Sequence, residues 1–235
     1  HAGIAAAASF AEEFGETERA ARYRSVARDM RAGMDRYLWS AKHGRFLRMI
    51  VPRDDGTFEE DSTIDASLYG AFAFGAYPAD DPRVMSTMKA VKDRLWVKAP
   101  SGGVARYEND YYHRVSDDIA NVAGNPWFIC TLWLAQHAIA KATTKAELDE
   151  ALPILEWVAA HALPSGVLAE QVHPVTDAPL SVSPLTWSHA TVVMCVVEYL
   201  EALERLSSCG NCGSSTFRID ALRNRVSTIA RGEAP

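Results

Sequence analysis

Two stretches of the chain concentrate side chains able to recognise or transform a polar ligand. The first, ARYENDYYHR over 105–114, places Arg106, Tyr107, Asp110, Tyr111 and Tyr112 close together. A planar guanidinium donates two parallel hydrogen bonds, a geometry that suits vicinal hydroxyls and carboxylates alike. Taken alone, Arg106 fits equally well a surface ion pair with Glu108 or Asp110, and Asp110 either orients Arg106 or accepts from ligand hydroxyls. The tyrosines offer flat apolar faces and phenolic hydrogen bonds. The second stretch, LAEQVHP over 168–174, carries Glu170 and Gln171. By residue type alone Glu170 is a solvated loop carboxylate, the default for glutamate, and Gln171 beside it can hydrogen-bond and steady the loop.

The elements that must position these residues are helices. Tyr23, Val26, Met30, Met34 and Tyr37 recur at steps of three and four, as do Val84, Met88, Val91 and Leu95, and Val192, Val196, Tyr199, Leu203 and Leu206. That spacing puts each set on one helical face. WFICTLWLAQHAI, over 127–139, is apolar almost all round, which predicts a helix packed on most sides. The expected helices are 2–14, 18–39, 63–77, 81–96, 125–140, 145–162, 185–207 and 214–231, with one short strand in GRFLRMIV over 44–51. Asn125-Pro126 and Ser183-Pro184 each suggest a capping residue before a proline in the first helical turn. Pairs of helices therefore open about every 60 residues, separated by long loops near 40–62, 97–124 and 163–184. Antiparallel pairs that stack place all such loops on one side, and long unstructured connections are commonly functional. The two chemistry-bearing stretches lie in the second and third loops. Trp127 and Trp187 are expected in the first turns of the helices that follow those loops, near the same rim. Asp65 starts the helix after the first loop and is expected chiefly to cap it. His189 sits one turn into its helix, with its role open.

Composition narrows the classes. The chain has 235 residues, 48% hydrophobic and 23% charged, with a net charge of −6. Mild acidity gives no general attraction to nucleic acid or anionic membranes. No apolar run approaches the roughly 20 residues that a bilayer span needs. The opening HAGIAAAASFAEEF lacks a basic region followed by an apolar core, so no signal peptide is expected; the compartment stays open, with the cytoplasm slightly favoured. Cys130 and Cys195 fall in apolar helical stretches and read as buried, unpaired thiols. Cys209 and Cys212 form a CxxC without a second ligand pair, which reads as part of a polar connector.

Several segments, in order, resemble glycoside hydrolase family 15, the glucoamylases and their bacterial relatives: Arg-Tyr followed by an acidic residue and aromatics, GNPWF opening a helix, Gly-x-Leu-x-Glu-Gln, then Leu-Thr-Trp-Ser-His-Ala. DASLYGAFAFG over 65–75 resembles the family's Asp-Ala-Ser-Leu helix start. The resemblance covers about 15–206. It implies an all-α fold, part of an (α/α)6 toroid of helical hairpins with about four of six pairs present. Residues 1–207 would then be the C-terminal part of the catalytic domain and 208–235 a linker and terminal helix. It implies inverting, exo-acting hydrolysis of α-glucosides with release of glucose. The corresponding assignments are Glu170 as general base, and Arg106, Tyr107, Asp110, Tyr111, Trp127, Gln171, Trp187 and Asp65 as substrate-binding residues. No segment matches the family's general acid, so the chain alone is expected to be inactive. Paired carboxylates need no metal or other cofactor. The expected partner is an oligo- or disaccharide, neither nucleic acid nor membrane, with oligomeric state left open. An α,α-trehalase or an isomaltose- or dextran-type glucohydrolase uses the same carboxylates. A non-catalytic helical sugar-binding or scaffold domain is the alternative of another class. The charged stretch His113, Arg114, Asp117 and Asp118 departs from the spacing of fungal members and bears on the chain length of the substrate.

Overall fold

The computed structural model describes residues 1–208. The CxxC cysteines and the expected helix over 214–231 lie outside the described residues. Eight α-helices run α1 Ala2–Glu13, α2 Thr17–Gly33, α3 Gly70–Ala73, α4 Pro82–Leu95, α5 Phe128–Lys141, α6 Lys145–Leu148, α7 Leu152–His161 and α8 Thr186–Leu206. Among the described residues no helix is long and apolar enough to cross a membrane.

The stop and start signals explain most boundaries. Gly15, at φ +72°, supplies the left-handed turn between α1 and α2. Asp81 caps α4 by accepting from the Arg83 N–H, ahead of Pro82 in the first turn. Thr144 and Glu147 close a capping box on α6. The helix expected over 145–162 breaks into α6, a 3-10 turn at Asp149–Ala151, and α7. Pro153 has no N–H and its ring crowds the carbonyl four residues back, so the ladder cannot continue through that turn. The helix expected over 63–77 contracts to a 3-10 turn at Ala66–Tyr69 followed by α3. A left-handed Gly75, φ +70°, stands two residues beyond it. The last turn of the expected 18–39 helix widens into a π-helical turn, Met34–Leu38.

Packing follows the apolar faces unevenly. Val84, Met88, Val91 and Leu95 of α4 are all buried, and α5 is buried along its whole length from Phe128 to Ile139. One core cluster lies on the α4 side of α5, and a second lies against α7 and α8. The stripe predicted on α2 behaves differently: Val26 and Met30 are exposed, and Ala20 and Ala27 are the buried residues of that helix. Small side chains let α1 and α2 approach, so the larger residues point outward.

The strands depart most from expectation. GRFLRMIV does contribute β2 (Arg45–Phe46) and opens β3 (Ile50–Pro52), which pair with β1 (Trp39–Ser40) and β4 (Phe58–Glu60). A further antiparallel sheet of four two-residue strands joins the long loops: β5 Val104–Ala105, β6 Pro126–Trp127, β7 Gln171–Val172 and β8 Pro179–Leu180, in that order. Gly103 makes its approach possible. It sits at φ +77°, and a Cβ there would lie 2.5 Å from the Trp157 ring and 2.8 Å from Pro126. Thr131, on the first turn of α5, stitches sheet to helix by accepting from the Val104 N–H at 2.9 Å and donating to the Trp127 carbonyl at 2.7 Å.

Candidate active site

The four-stranded sheet sets the spacing of the site. Arg106 follows β5, Trp127 ends β6 and Glu170 immediately precedes β7. Val104 pairs with Trp127, and Trp127 with Gln171. Adjacent strands are about 4.8 Å apart, so β5, which leads to Arg106, and β7, which Glu170 precedes, lie two strand spacings apart with β6 and Trp127 between them. Cys130, fully buried one turn into α5, is raised well above its ordinary pKa first by burial. The charges of Asp65, Arg106, Asp110 and Glu170 also act on it.

Arg106 is held from below and stacked from the sides. Its Nε donates to Asp110 Oδ2 at 3.0 Å and its Nη2 to Oδ1 at 2.9 Å. The guanidinium carbon lies 4.6 Å from the Trp127 ring centre, 4.9 Å from Tyr107 and 5.2 Å from Tyr112. Burial opposes the charge of Arg106, and the Asp110 carboxylate more than offsets it, so its pKa lies above the usual guanidinium value. Two of its five N–H groups go to Asp110, and the side chain remains one-third exposed. Asp110 is 1% exposed and also accepts from the Tyr112 N–H at 3.0 Å. Gly124 makes room for it, since a Cβ there would approach the Asp110 Cβ to 2.8 Å. Asp110 thus orients Arg106 and is sealed from ligand.

Glu170 is half-buried, and its donors are neutral. Ser181 Oγ donates to Oε2 in a short hydrogen bond, and Gln171 Nε2 reaches the same oxygen at 3.3 Å. Gln171 is itself 0% exposed and accepts from Asn125 Nδ2 at 2.8 Å, while Asn125 also donates to the His113 carbonyl at 2.8 Å. The Glu170 loop is therefore tied to the arginine loop through two buried amides.

Trp187 stands on the first turn of α8, as expected. It is 53% exposed, with its ring centre 6.0 Å from that of Trp133. Trp133 in turn stacks on Tyr69 at 4.1 Å. Asp65 caps the 3-10 turn by accepting from the Ser67 N–H at 2.9 Å. Tyr107 pairs with Asp65 in an isolated bridge, and burial raises its pKa.

Three expected ligand contacts need correction. Trp127 is 4% exposed and lies in β6 rather than in the helix, so it floors Arg106 instead of lining the rim. Gln171 and Asp110 are buried and act through their neighbours. Tyr111, by contrast, is 78% exposed and lies outside the aromatic box around Arg106. The expected proline caps also differ. Asn125 spends its amide on the two loops, and α5 begins at Phe128 with Trp127 in the cap position. α8 begins at Thr186 after Leu185, beyond Ser183-Pro184.

Sequence reading missed Ser181, whose φ of +62° lets it turn toward Glu170. It also missed Arg48, which donates to Asp61 at 2.7 Å and Asp65 at 3.4 Å and sits 5.6 Å from the Tyr107 ring centre. A serine eleven residues beyond a glutamate carries no periodic signal. The alternation in GRFLRMIV was the available hint for Arg48. Glu198 is a carboxyl whose pKa burial raises, against the Gln136 amide. It lies eleven residues beyond Trp187 on α8, about 16 Å along the axis, and lines a separate cleft of about 360 Å³ with Tyr69 and Phe72.

Comparison with known proteins follows the same lines. The family description Glycosyl hydrolases family 15 matches residues 1–156. An uncharacterized glycosyl hydrolase of Methanocaldococcus jannaschii is 30% identical over 66% of this chain and 24% of its own length. A trehalase of Mycobacterium tuberculosis is 28% identical over 86% of this chain and 27% of its own, a match long enough to take in the Glu170 loop. A bacterial glucoamylase solved in complex with acarbose superposes with a TM-score of 0.70 at 25% identity, over 86% of this chain and 32% of that one. The chain thus spans about a quarter of the length of these curated relatives and a third of the glucoamylase chain. The mainly helical architecture is of the (α/α)6 type seen in those glucoamylases. By the match over residues 1–156, this chain belongs to glycoside hydrolase family 15.

Proposed function

We infer that this chain supplies the water-activating half of an inverting, exo-acting α-glucoside hydrolase that releases glucose. Residues 1–207 serve as part of its (α/α)6 catalytic domain. The observation that carries the reading is that one four-stranded sheet carries both Glu170, a half-buried carboxylate held by neutral donors, beside β7 and the bidentate Arg106–Asp110 unit beyond β5. An inverting hydrolase needs one carboxylate to draw a proton from water and a second carboxyl group about 6.5–9.5 Å away to protonate the leaving oxygen. Glu170 takes the first role. Arg106 holds vicinal hydroxyls of the terminal sugar, and the exposed face of Trp187 packs against sugar C–H groups.

The second role falls to a part of the domain that this chain does not match. Asp110 and Asp65 are each occupied as acceptors by guanidinium and N–H donors. On this reading the chain alone does not turn over. Trehalose is the second candidate substrate, favoured by the extent of the trehalase match.

Proton NMR of the first-formed sugar tests the mechanism in the full-length protein, with maltose and trehalose as separate substrates. Glucose freed from the non-reducing unit of maltose emerges first as the β anomer. Initial release of α-glucose there overturns inversion, and hydrolysis of trehalose alone reassigns the substrate.

A further inference from the structure

The backbone at the start of the Glu170 loop is gripped from outside at five polar atoms. The Leu168 N–H donates to Nε2 of His189 at 3.0 Å, and the Leu168 carbonyl accepts from the Leu185 N–H at 3.0 Å. Ser188 Oγ donates to the Ala169 carbonyl at 2.8 Å. The Glu170 N–H donates to the Val182 carbonyl at 2.8 Å, and its carbonyl accepts from the Phe128 N–H at 3.3 Å. Three of these partners, Leu185, Ser188 and His189, belong to the cap and first turn of α8. Four of the five bonds use backbone groups or a hydroxyl on the partner side. The fifth uses an imidazole ring, and it is the one nearest the entry to the loop.

The chemistry of that bond is specific. An amide N–H can only donate, so Nε2 must present its lone pair, which fixes the ring as the neutral tautomer with its proton on Nδ1. Leu168 is 4% exposed, so its N–H has no ready access to bulk water should the acceptor vanish. The surroundings of the ring are apolar, formed by Leu155, Val158 and Ala162 around α7 and by Val192 and Val196 on α8.

We propose that His189 is a positioning residue for Glu170. By accepting the Leu168 amide, it sets the height of the loop two residues before the carboxylate and so the direction in which that carboxylate meets water. The proposal rests on the reading of Glu170 as general base. His189 acts through the backbone and touches no sugar.

The test compares His189→Met, which fills the apolar wall without an acceptor, with His189→Gln, whose side-chain carbonyl can take the place of Nε2. Both are made in the full-length protein, with His189→Phe as a second acceptor-free variant, and melting curves identify the folded ones. Misplacement of a reacting group by about 1 Å costs on the order of a hundredfold, so the Met variant should lose about ten- to a hundredfold in kcat. Its KM should stay within about threefold, and the Gln variant should keep kcat within about threefold of the parent. Wild-type kcat in a folded acceptor-free variant overturns the proposal, and so does an equal loss in the Gln and Met variants. Glu170→Gln, run in parallel, separates the two claims. Full turnover there removes the base assignment and this proposal with it, whereas loss there beside an unaffected Met variant removes the role of His189 alone.

Discussion

Helices α5 and α8 are both rich in apolar residues, and the fold treats them oppositely. α5 buries every residue from Phe128 to Ile139. α8 buries Ser188, Thr191, Cys195 and Ala202, and leaves Val193 62% and Met194 52% exposed, with Val196 and Val197 also open. The difference lies in neighbours. α5 has α4 on one flank, α7 and α8 on the other, and the four-stranded sheet at its start. α8 packs on α5 along one side. The base loop is fastened to both, through Phe128 on α5 and through Leu185, Ser188 and His189 around the start of α8. The Glu170 loop thus stands where a finished core meets an open helix, and each change argued next acts on one side of that junction.

The largest expected effect is chemical. Glu170→Gln in the full-length protein keeps the hydrogen-bonding shape of the loop but removes the basic oxygen. Positioned acid–base groups contribute about 10²–10⁴-fold, so kcat should fall at least a hundredfold with the melting temperature nearly unchanged. Steady-state kinetics beside a melting curve decide it, and unaltered turnover removes Glu170 from the mechanism.

Next is the finished side of the junction. Leu132 is 0% exposed in the middle of α5. Leu132→Ala deletes buried carbons and leaves a cavity that packed neighbours cannot close, a loss of about 2–5 kcal/mol. Urea unfolding measures it. A loss below about 1 kcal/mol would mean that α5 is not the tightly packed centre described here.

The contrast also marks what was legible in the sequence. α4 and α5 could be read because their apolar residues recur at helical spacing and each meets a partner. The stripes of α2 and α8 could be read as faces, but their exposure could not, because periodicity reports which residues share a side and says nothing of a neighbour. The sheet that sets the site was illegible for a different reason. Strands of two residues, such as Pro126–Trp127 and Gln171–Val172, are too short to show any alternation. With the sheet unseen, Trp127 read as a rim residue, although pairing across β6 buries it. Arg106 and Glu170 were recognisable from the motifs around them. Asp110 was open between two roles, and its burial beneath Arg106 favours the orienting one.

A middle-sized effect is expected at the arginine. Arg106→Lys keeps the charge but gives up the planar fork that two Asp110 oxygens grip and that three aromatic rings surround. Loss of that geometry should lower kcat/KM about ten- to a thousandfold, or roughly 1.4–4 kcal/mol of recognition. Unchanged kinetics would reduce Arg106 to a structural ion pair.

The smallest change in stability is expected on the open side, and it sharpens the comparison most directly. Val193 and Met194 touch water over more than half of their surface, so replacing both with serine removes little buried area. Each substitution should shift unfolding free energy by no more than about 0.5 kcal/mol, against several for Leu132→Ala. Their effect on association should be larger. Contiguous exposed apolar surface drives proteins together, and Val193, Met194, Val196 and Val197 present such a surface along one helix. The 235-residue chain should therefore self-associate on size-exclusion chromatography with light scattering, and the double serine variant should shift toward monomer at equal concentration. A wild-type chain that elutes as a clean monomer shows that the open face is tolerated as it stands. A double variant that associates as strongly as its parent moves the contact elsewhere, with Phe10 and Phe14 at the end of α1, 67% and 81% exposed, the next residues to replace.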